Sequence, residues 1–168
     1  MFLLILPLFA AKLTYAQERT TTAFSIGPEL NIPQRSAYNI GYGASVNLET
    51  PLSSKFSAVV TSGYYRFSYK SLALSGYKKP GADSFIPIKA GAKYYIDPRF
   101  YTQAEVGTVL NKNDAYMGNL FTYSLGTGFL LPLGDSKTSM IDIGLRYEDW
   151  SKSSLQQFAI RVAYRFGF

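Results

Sequence analysis

The ionisable side chains that could do chemistry together are spread singly along this sequence. Nine of them alternate with apolar residues in segments rich in small residues: Glu29, Lys89, Lys93, Glu105, Asp142, Arg146, Glu148, Arg161 and Arg165. Carboxylates beside Lys or Arg can form a buried, ion-paired network that fills space, or they can line a path for a proton or an ion. Either use requires strands that bring these side chains to one face.

The residue types exclude most catalytic and metal chemistry. The sequence has no Cys and no His, which removes thiolate nucleophiles, imidazole bases and Cys/His zinc sites. A serine nucleophile would need another base such as Lys, and neither a G-x-S-x-G motif nor a phosphate-binding loop is present. Asn111, Asn113 and Asp114 lack the closing Glu of a calcium loop. We therefore expect no enzymatic activity, no cofactor and no bound metal.

The strands that position these side chains are predicted from an alternation of apolar and polar residues. In residues 37–49, Tyr38, Ile40 and Tyr42 begin an apolar series that alternates with Asn, Gly and Ser. This period of two is typical of a strand with two different faces. Comparable segments predict eight strands in all: 23–32, 37–49, 55–69, 85–96, 100–110, 120–132, 139–149 and 158–168. Because segment 55–69 is apolar on both faces, its facing stays open.

The connections between these strands alternate in length. Residues 49–54, 97–99 and 134–138 are short turns, whereas 70–83 and 111–119 are longer and polar. The short segments 33–36 and 151–154 fall at the same end as the longer loops. This arrangement predicts an all-β, eight-stranded, antiparallel up-and-down barrel.

The composition of the polar face favours a barrel with its apolar face outward, in a membrane. That face is dominated by small residues, including Gly27, Gly41, Gly91, Gly107 and Gly144, which suit the crowded interior of a narrow barrel. Strands of eleven residues, at about 3.3 Å each and tilted roughly 45°, cover about 25 Å of height. Trp150 and Tyr147 are predicted to belong to an aromatic girdle. The alternative is a soluble barrel of the lipocalin type, apolar inside and polar outside.

The first residues predict export of the protein. Residues 1–16, MFLLILPLFAAKLTYA, form an apolar run with small residues before a cut after Ala16, as in a secretory signal peptide. The alternative is an N-terminal membrane anchor. Residues 17–168 then form the barrel domain.

The last strand of the chain resembles a feature of a known protein family. The terminal strand sets Tyr164, Phe166 and Phe168 at a spacing of two, and it resembles the C-terminal insertion signal of bacterial outer-membrane proteins. Residues 17–168 as a whole resemble the small eight-stranded outer-membrane barrels typified by the OmpA transmembrane domain and OmpX. The resemblance implies insertion by the barrel-assembly machinery, an outer-membrane location, periplasmic termini and a barrel surrounded by outer-membrane lipid.

The basic residues suggest a lipid partner rather than a nucleic acid. Lys and Arg are scattered, without a basic stripe interleaved with stacking aromatics. Lipopolysaccharide phosphates could meet basic and aromatic residues of the loops at Arg35, Tyr77, Lys78, Lys79 and Lys152. The alternative is that these are solvated loop charges. We expect a monomer.

The predicted function is that of a non-enzymatic integral outer-membrane protein with a polar, plugged lumen. Its role would be structural in the envelope or surface binding through loops 33–36, 70–83, 111–119 and 150–154. The first alternative is a narrow pore or carrier for small solutes. A lipid-modifying enzyme without His ranks below both, as does a soluble lipocalin-like binding barrel.

Overall fold

Eight antiparallel strands close into a barrel in the computed structural model, which describes residues 21–34, 36, 38–69, 82–111, 120–134, 138–151 and 155–168. Each strand pairs with its neighbours in sequence, and the last pairs with the first. The strands are β1 Ala23–Pro33, β2 Tyr38–Pro51, β3 Phe56–Tyr69, β4 Ala82–Tyr95, β5 Phe100–Asn111, β6 Leu120–Pro132, β7 Ser139–Trp150 and β8 Leu155–Gly167. The predicted eight-stranded up-and-down barrel is confirmed.

The strand bounds differ from the prediction mainly at β4 and β8. These strands begin at Ala82 and Leu155, three residues before the predicted starts at 85 and 158. The alternation of apolar and polar residues is interrupted there by polar pairs such as Gln156 and Gln157, so the pattern does not reveal the first residues of β8. The described residues contain no helix that is long and apolar enough to cross a membrane.

The two ends of the barrel differ in their connections. At one end, here called the turn end, short turns such as Ile96–Phe100 are closed by their own hydrogen bonds. The Arg99 amide donates to the Asp97 side chain at 3.0 Å, and the Phe100 amide donates to the Asp97 carbonyl at 3.1 Å. Gly134, in another turn of this end, has a φ of 60°, which is readily adopted by glycine. The opposite end, here called the loop end, carries the connections 70–81 and 112–119.

Strand β3, whose facing the sequence left open, is oriented by the register. Ser57, Thr61 and Tyr65 are buried inside the barrel, whereas Phe56 and Val60 are exposed on its outer surface. The outer face of β3 therefore continues the apolar outer surface of its neighbours.

A β-bulge near the loop end corrects the predicted facing of Tyr38. The sequence grouped Tyr38 with the outward residues Ile40 and Tyr42. The β2–β3 register shifts between Tyr38 and Gly41, so the extra residue turns the Tyr38 side chain inward. There Tyr38 packs against Phe67, with ring centroids 5.7 Å apart.

Small residues permit the close approach of the strands. A Cβ on Gly91 would lie 1.9 Å from the Ala104 carbonyl oxygen of the neighbouring strand. That atom belongs to the backbone of a paired strand, so it cannot move aside freely. This contact explains why the inner face of the barrel requires glycine at this position.

The barrel closes along the seam between β8 and β1. Ala23 lies opposite Gly167, and the Phe168 amide donates to the Thr22 carbonyl at 2.9 Å. The pairing of β1 with β8 is interrupted at Gly27 and Pro28, because proline has no N–H to donate. The register on both sides of the interruption is the same.

Candidate functional site

The interior of the barrel holds the ionisable residues that the sequence singled out. Eight of the nine are buried, and Arg165, near the turn end, is half-buried. Every one of the nine forms at least one ion pair within 4.0 Å. Together with Glu49 they are called the lumen network below.

The first part of the lumen network surrounds Lys89 on β4. Its ammonium group donates to Glu148 on β7 and lies 3.8 Å from Glu105 on β5. Glu105 also accepts hydrogen bonds from Thr61 at 2.5 Å and from Ser124 at 3.2 Å. Lys89 is therefore held between two carboxylates whose remaining oxygens are occupied, as a buried charge requires.

The second part surrounds two arginines. Arg146 on β7 pairs with Glu29 across the lumen, and its Nε lies 3.0 Å from Glu148 without the geometry of a hydrogen bond. Arg161 on β8 lies 3.3 Å from Asp142 and donates to Ser45 at 2.9 Å. Since Ser45 donates in turn to Glu29 at 2.8 Å, the two arginine clusters are linked.

The third part lies near the turn end and includes a residue that the sequence analysis missed. Glu49 on β2 accepts from Lys93 at 2.9 Å and from Tyr95 at 2.5 Å, and it lies 3.3 Å from Arg165. Lys93 also stands 4.1 Å from the centre of the Tyr101 ring. Glu49 occupies the polar face of β2 with Ser45 and Asn47, so the alternation itself could have identified it.

The lumen network is balanced in charge. It contains five carboxylates, Glu29, Glu49, Glu105, Asp142 and Glu148, and five cations, Lys89, Lys93, Arg146, Arg161 and Arg165. Because each charged group is paired with a group of opposite charge, the ten charges compensate one another. Such an arrangement fills the space inside a narrow barrel while keeping a polar interior.

Apolar side chains occupy the lumen toward the loop end, where the sequence analysis expected a polar interior. This aromatic cap consists of Tyr65, Phe67, Phe85, Val109, Leu120, Trp150 and Leu155, all buried. Phe85 and Trp150 pack edge to face with ring centroids 4.9 Å apart. Trp150, predicted as a girdle residue, is 1% exposed. The prediction failed because its ring fills the barrel interior at the level where the ionic residues end.

A small cavity remains inside the lumen network. Its volume is about 40 Å³, and its lining includes Asn47, Asp142, Arg146 and Arg161. A water molecule needs about 10–15 Å³ measured in this way, so the cavity has room for a few waters. The barrel therefore contains small polar spaces between its ion pairs.

Among the described residues, further buried polar side-chain atoms have no hydrogen-bond partner. They are the side-chain amide atoms of Asn31 and Gln157 and the hydroxyl of Thr122. Buried amides are normally satisfied by protein or by ordered water. These atoms are therefore available to bind ordered water inside the barrel.

The outer surface is apolar along the strands. Large exposed side chains include Val106 at 55%, Leu125 at 58% and Ile143 at 40%. Tyr147, the second predicted girdle residue, is half-exposed on this surface and packs against Phe158 with ring centroids 5.5 Å apart. A continuous apolar band of this kind is typical of a barrel surrounded by lipid.

The three residues predicted as an insertion signal lie on the outer surface. Tyr164 is 44% exposed and Phe166 is 36% exposed, whereas Phe168 reaches 71%. Phe166 packs on Phe24 of β1 with ring centroids 5.3 Å apart. The side chain of Phe168 is thus the most exposed of the three.

The predicted loop contacts and the signal peptide lie outside the described residues. This applies to residues 1–16 and to Arg35, Tyr77, Lys78, Lys79 and Lys152. Within the described ranges, no group of three acidic, His or Cys side chains could hold a metal ion. The nine ionisable residues predicted for the lumen, in contrast, are all described, and each is ion-paired inside the barrel.

Comparisons with known proteins extend the fold assignment. The sequence matches no family model and no curated protein. The structure matches Ail, the attachment invasion locus protein of Yersinia pestis, with a TM-score of 0.61 at 12% identity, over 89% of this chain and 99% of that one. It matches Neisserial surface protein A with a TM-score of 0.65 at 15% identity, over 88% and 97% of the two chains.

A third solved structure agrees with these two. The outer membrane protein OprG from Pseudomonas aeruginosa matches with a TM-score of 0.63 at 9% identity, over 89% of this chain and 96% of that one. At these identities the similarity lies in the fold. The chain has the fold of the small eight-stranded outer-membrane barrels, as the resemblance of its sequence implied.

Proposed function

We propose that this protein is a non-enzymatic integral outer-membrane barrel with a plugged lumen, which acts in envelope structure or in surface binding through its loops. The observation that carries this proposal is the closure of the interior. Ten paired charges lie inside the lumen, and the buried side chains of the aromatic cap pack toward the loop end, which supports a plugged interior. A lumen filled in this way leaves the loops and the outer surface as the parts available to partners.

The membrane location is supported by the outer surface. Side chains such as Leu125 and Val106 are more than half exposed, which would be unfavourable in water and favourable in lipid. A closed barrel also leaves no strand edge unpaired in the bilayer. We infer that the termini are periplasmic, that the loop end faces outward, that residues 1–16 direct export, and that the barrel is a monomer.

Single-channel conductance of the refolded protein in a planar bilayer tests the plugged lumen. We expect no conductance from preparations that show the heat-dependent gel shift of a folded barrel. The variant with both Lys89→Ser and Glu148→Ser is a useful comparison, because it removes a neutral pair of large side chains and widens the lumen. Reproducible, ion-selective steps from the unmodified protein would overturn the proposal.

The second candidate function is a narrow pore for small solutes. It is favoured by the cavity of about 40 Å³, with room for a few waters, whose lining includes Asp142, Arg146 and Arg161. For this cavity to belong to a path, the aromatic cap would have to open. The same conductance trace distinguishes the two functions, since a pore would conduct without any substitution.

Surface binding through the loops is tested separately. The proposal places Lys78 and Lys79 against lipopolysaccharide phosphates, where compact ammonium groups act as point charges. We expect the variant with Lys78→Gln and Lys79→Gln to bind immobilised lipopolysaccharide more weakly, and Lys55→Gln, in a turn at the other end, to bind normally. Equal binding by the unmodified protein, the double variant and Lys55→Gln would contradict lipopolysaccharide binding by Lys78 and Lys79.

A further inference from the structure

A groove of about 710 Å³ crosses the outer surface over strands β8, β1, β2 and β3. Pro28 and Ala44 lie opposite each other in the β1–β2 register, and both line the groove. The neighbouring positions carry the larger side chains of Leu30, Tyr42 and Tyr64. The groove exists because two small outward residues stand among bulky ones.

A cation lies directly beside this groove. Arg66 is exposed on the outer face of β3 and is the cross-strand partner of Tyr42, which is itself the partner of Leu30. Arg66 therefore lies in the same row of cross-strand partners as Tyr42 and Leu30, which line the groove. Arg66 stands three residues before the end of β3 at Tyr69, near the loop end.

Arg66 differs from the other cations that the structure describes. Five of these belong to the lumen network, and Lys55 and Arg99 lie in the connections of the turn end. Within the described ranges, Arg66 has no carboxylate within 4.0 Å, and the outward positions of β1, β2, β3 and β8 carry no Asp or Glu. Its charge thus faces outward, toward whatever surrounds the barrel.

We propose that this groove and Arg66 form a binding site for lipid A, the phosphorylated and acylated anchor of lipopolysaccharide. The Arg66 guanidinium binds a lipid A phosphate, for which its planar array of donors is well matched. An acyl chain lies in the groove along Pro28 and Ala44. This inference rests on the proposed function, because lipid A surrounds the barrel at the loop end only if that end faces outward.

Charge favours this occupant over a second copy of the chain. A symmetric dimer through this face would bring the same patch of both copies together, including two Arg66 side chains. The described part of the patch offers no carboxylate to either of them. A phosphorylated lipid supplies both the anion and the apolar chain that the site lacks.

Native mass spectrometry of the refolded protein with added lipid A tests the site. We expect Arg66→Gln to lower the retained lipid A roughly tenfold, as the loss of a charge-assisted hydrogen bond predicts, whereas Lys55→Gln retains it normally. Ala44→Phe fills the groove and should also lower retention. Ala90→Phe, on the outer face of β4 beyond the groove, is its matched control. A heat-shifted gel band verifies that every variant is folded.

Three results would overturn the site. They are equal retention by Arg66→Gln and the unmodified protein, equal retention of dephosphorylated lipid A, and equal retention of phosphatidylglycerol. A protein dimer in place of bound lipid would overturn it as well. None of these results depends on conductance, so the site can fail while the plugged lumen stands. Conversely, a conducting barrel that retains lipid A would contradict only the proposed function.

Discussion

Trp150 donates its indole N–H to Glu148 at 2.5 Å, and this hydrogen bond joins the aromatic cap to the lumen network. The ring of Trp150 packs on Phe85, while Glu148 accepts from Lys89. A single side chain on β7 thus belongs to both the apolar and the ionic parts of the interior. The cap is therefore anchored by a polar contact as well as by packing.

Replacing Trp150 by Phe should destabilise the barrel. The ring would still fill part of the cap, but one oxygen of the buried Glu148 would lose its donor, at a cost of about 1–3 kcal/mol. The free energy of unfolding in urea, followed by the heat-dependent gel shift, measures the change. Tyr147→Phe is the control, since its hydroxyl lies 3.5 Å from Asp149 on the outer surface. Equal stability of Trp150→Phe and the unmodified protein would contradict the anchoring role.

The pair Lys89 and Glu148 should show strong coupling in a double-mutant cycle. Lys89→Met leaves the buried charge of Glu148 without its Lys89 partner, and Glu148→Gln leaves the buried charge of Lys89 without its Glu148 partner. Each single variant should lower the free energy of unfolding by about 3–5 kcal/mol. The double variant removes both charges and should lose less free energy of unfolding than the sum of the two single variants. Additive losses would show that the pair does not act as a unit.

Gly91→Ala should lower stability more than Gly144→Ala, although both glycines face the lumen. The new methyl group at Gly91 would meet the Ala104 carbonyl oxygen, whereas at Gly144 the nearest atom is 3.4 Å away. Overpacking of this kind costs about 1–3 kcal/mol. Urea midpoints of the two refolded variants give the comparison. A midpoint for Gly91→Ala at or above that of Gly144→Ala would contradict the close approach.

Phe168→Ser should slow assembly in cells and leave the refolded barrel nearly unchanged. The side chain is 71% exposed, so little packing is lost, while the proposed terminal recognition signal would be removed. The amount of heat-modifiable protein in the outer membrane measures assembly, and urea unfolding measures stability. Phe100→Ser, at an outward position of the turn end, serves as a control. Normal abundance of Phe168→Ser would count against the signal.

Much of the fold could be predicted because period-two alternation depends only on residue type. The alternation in β7 and β8 placed Asp142, Arg146 and Arg161 together on one face, and the structure buries them together. The loop end was predicted less well. A β-bulge adds one residue and reverses the facing of Tyr38. No period in the sequence records such an insertion.

The inward aromatics were misplaced because residue type was weighed above the phase of the alternation, which sets Trp150 two residues after Glu148 and Phe85 four residues before Lys89, on the lumen face. Phe85 and Trp150 are residue types found both in outer girdles and in packed interiors, so type alone does not decide between these positions. The pairing partners of the lumen network depended on register, which brings Lys89 on β4 to Glu148 on β7 across the barrel. Such contacts between distant strands emerge only once the barrel has closed.

The seam between β1 and β8 has a consequence for how the protein folds. Ala23 pairs with Gly167, so the contact that completes the barrel is among the most distant in sequence, and contacts of this kind form slowly. Until it forms, β1 and β8 each present an edge whose backbone groups have no partner in lipid. In lipid, a partly formed barrel therefore carries the cost of two unpaired edges, and the pairing of β1 with β8 removes that cost on both strands at once.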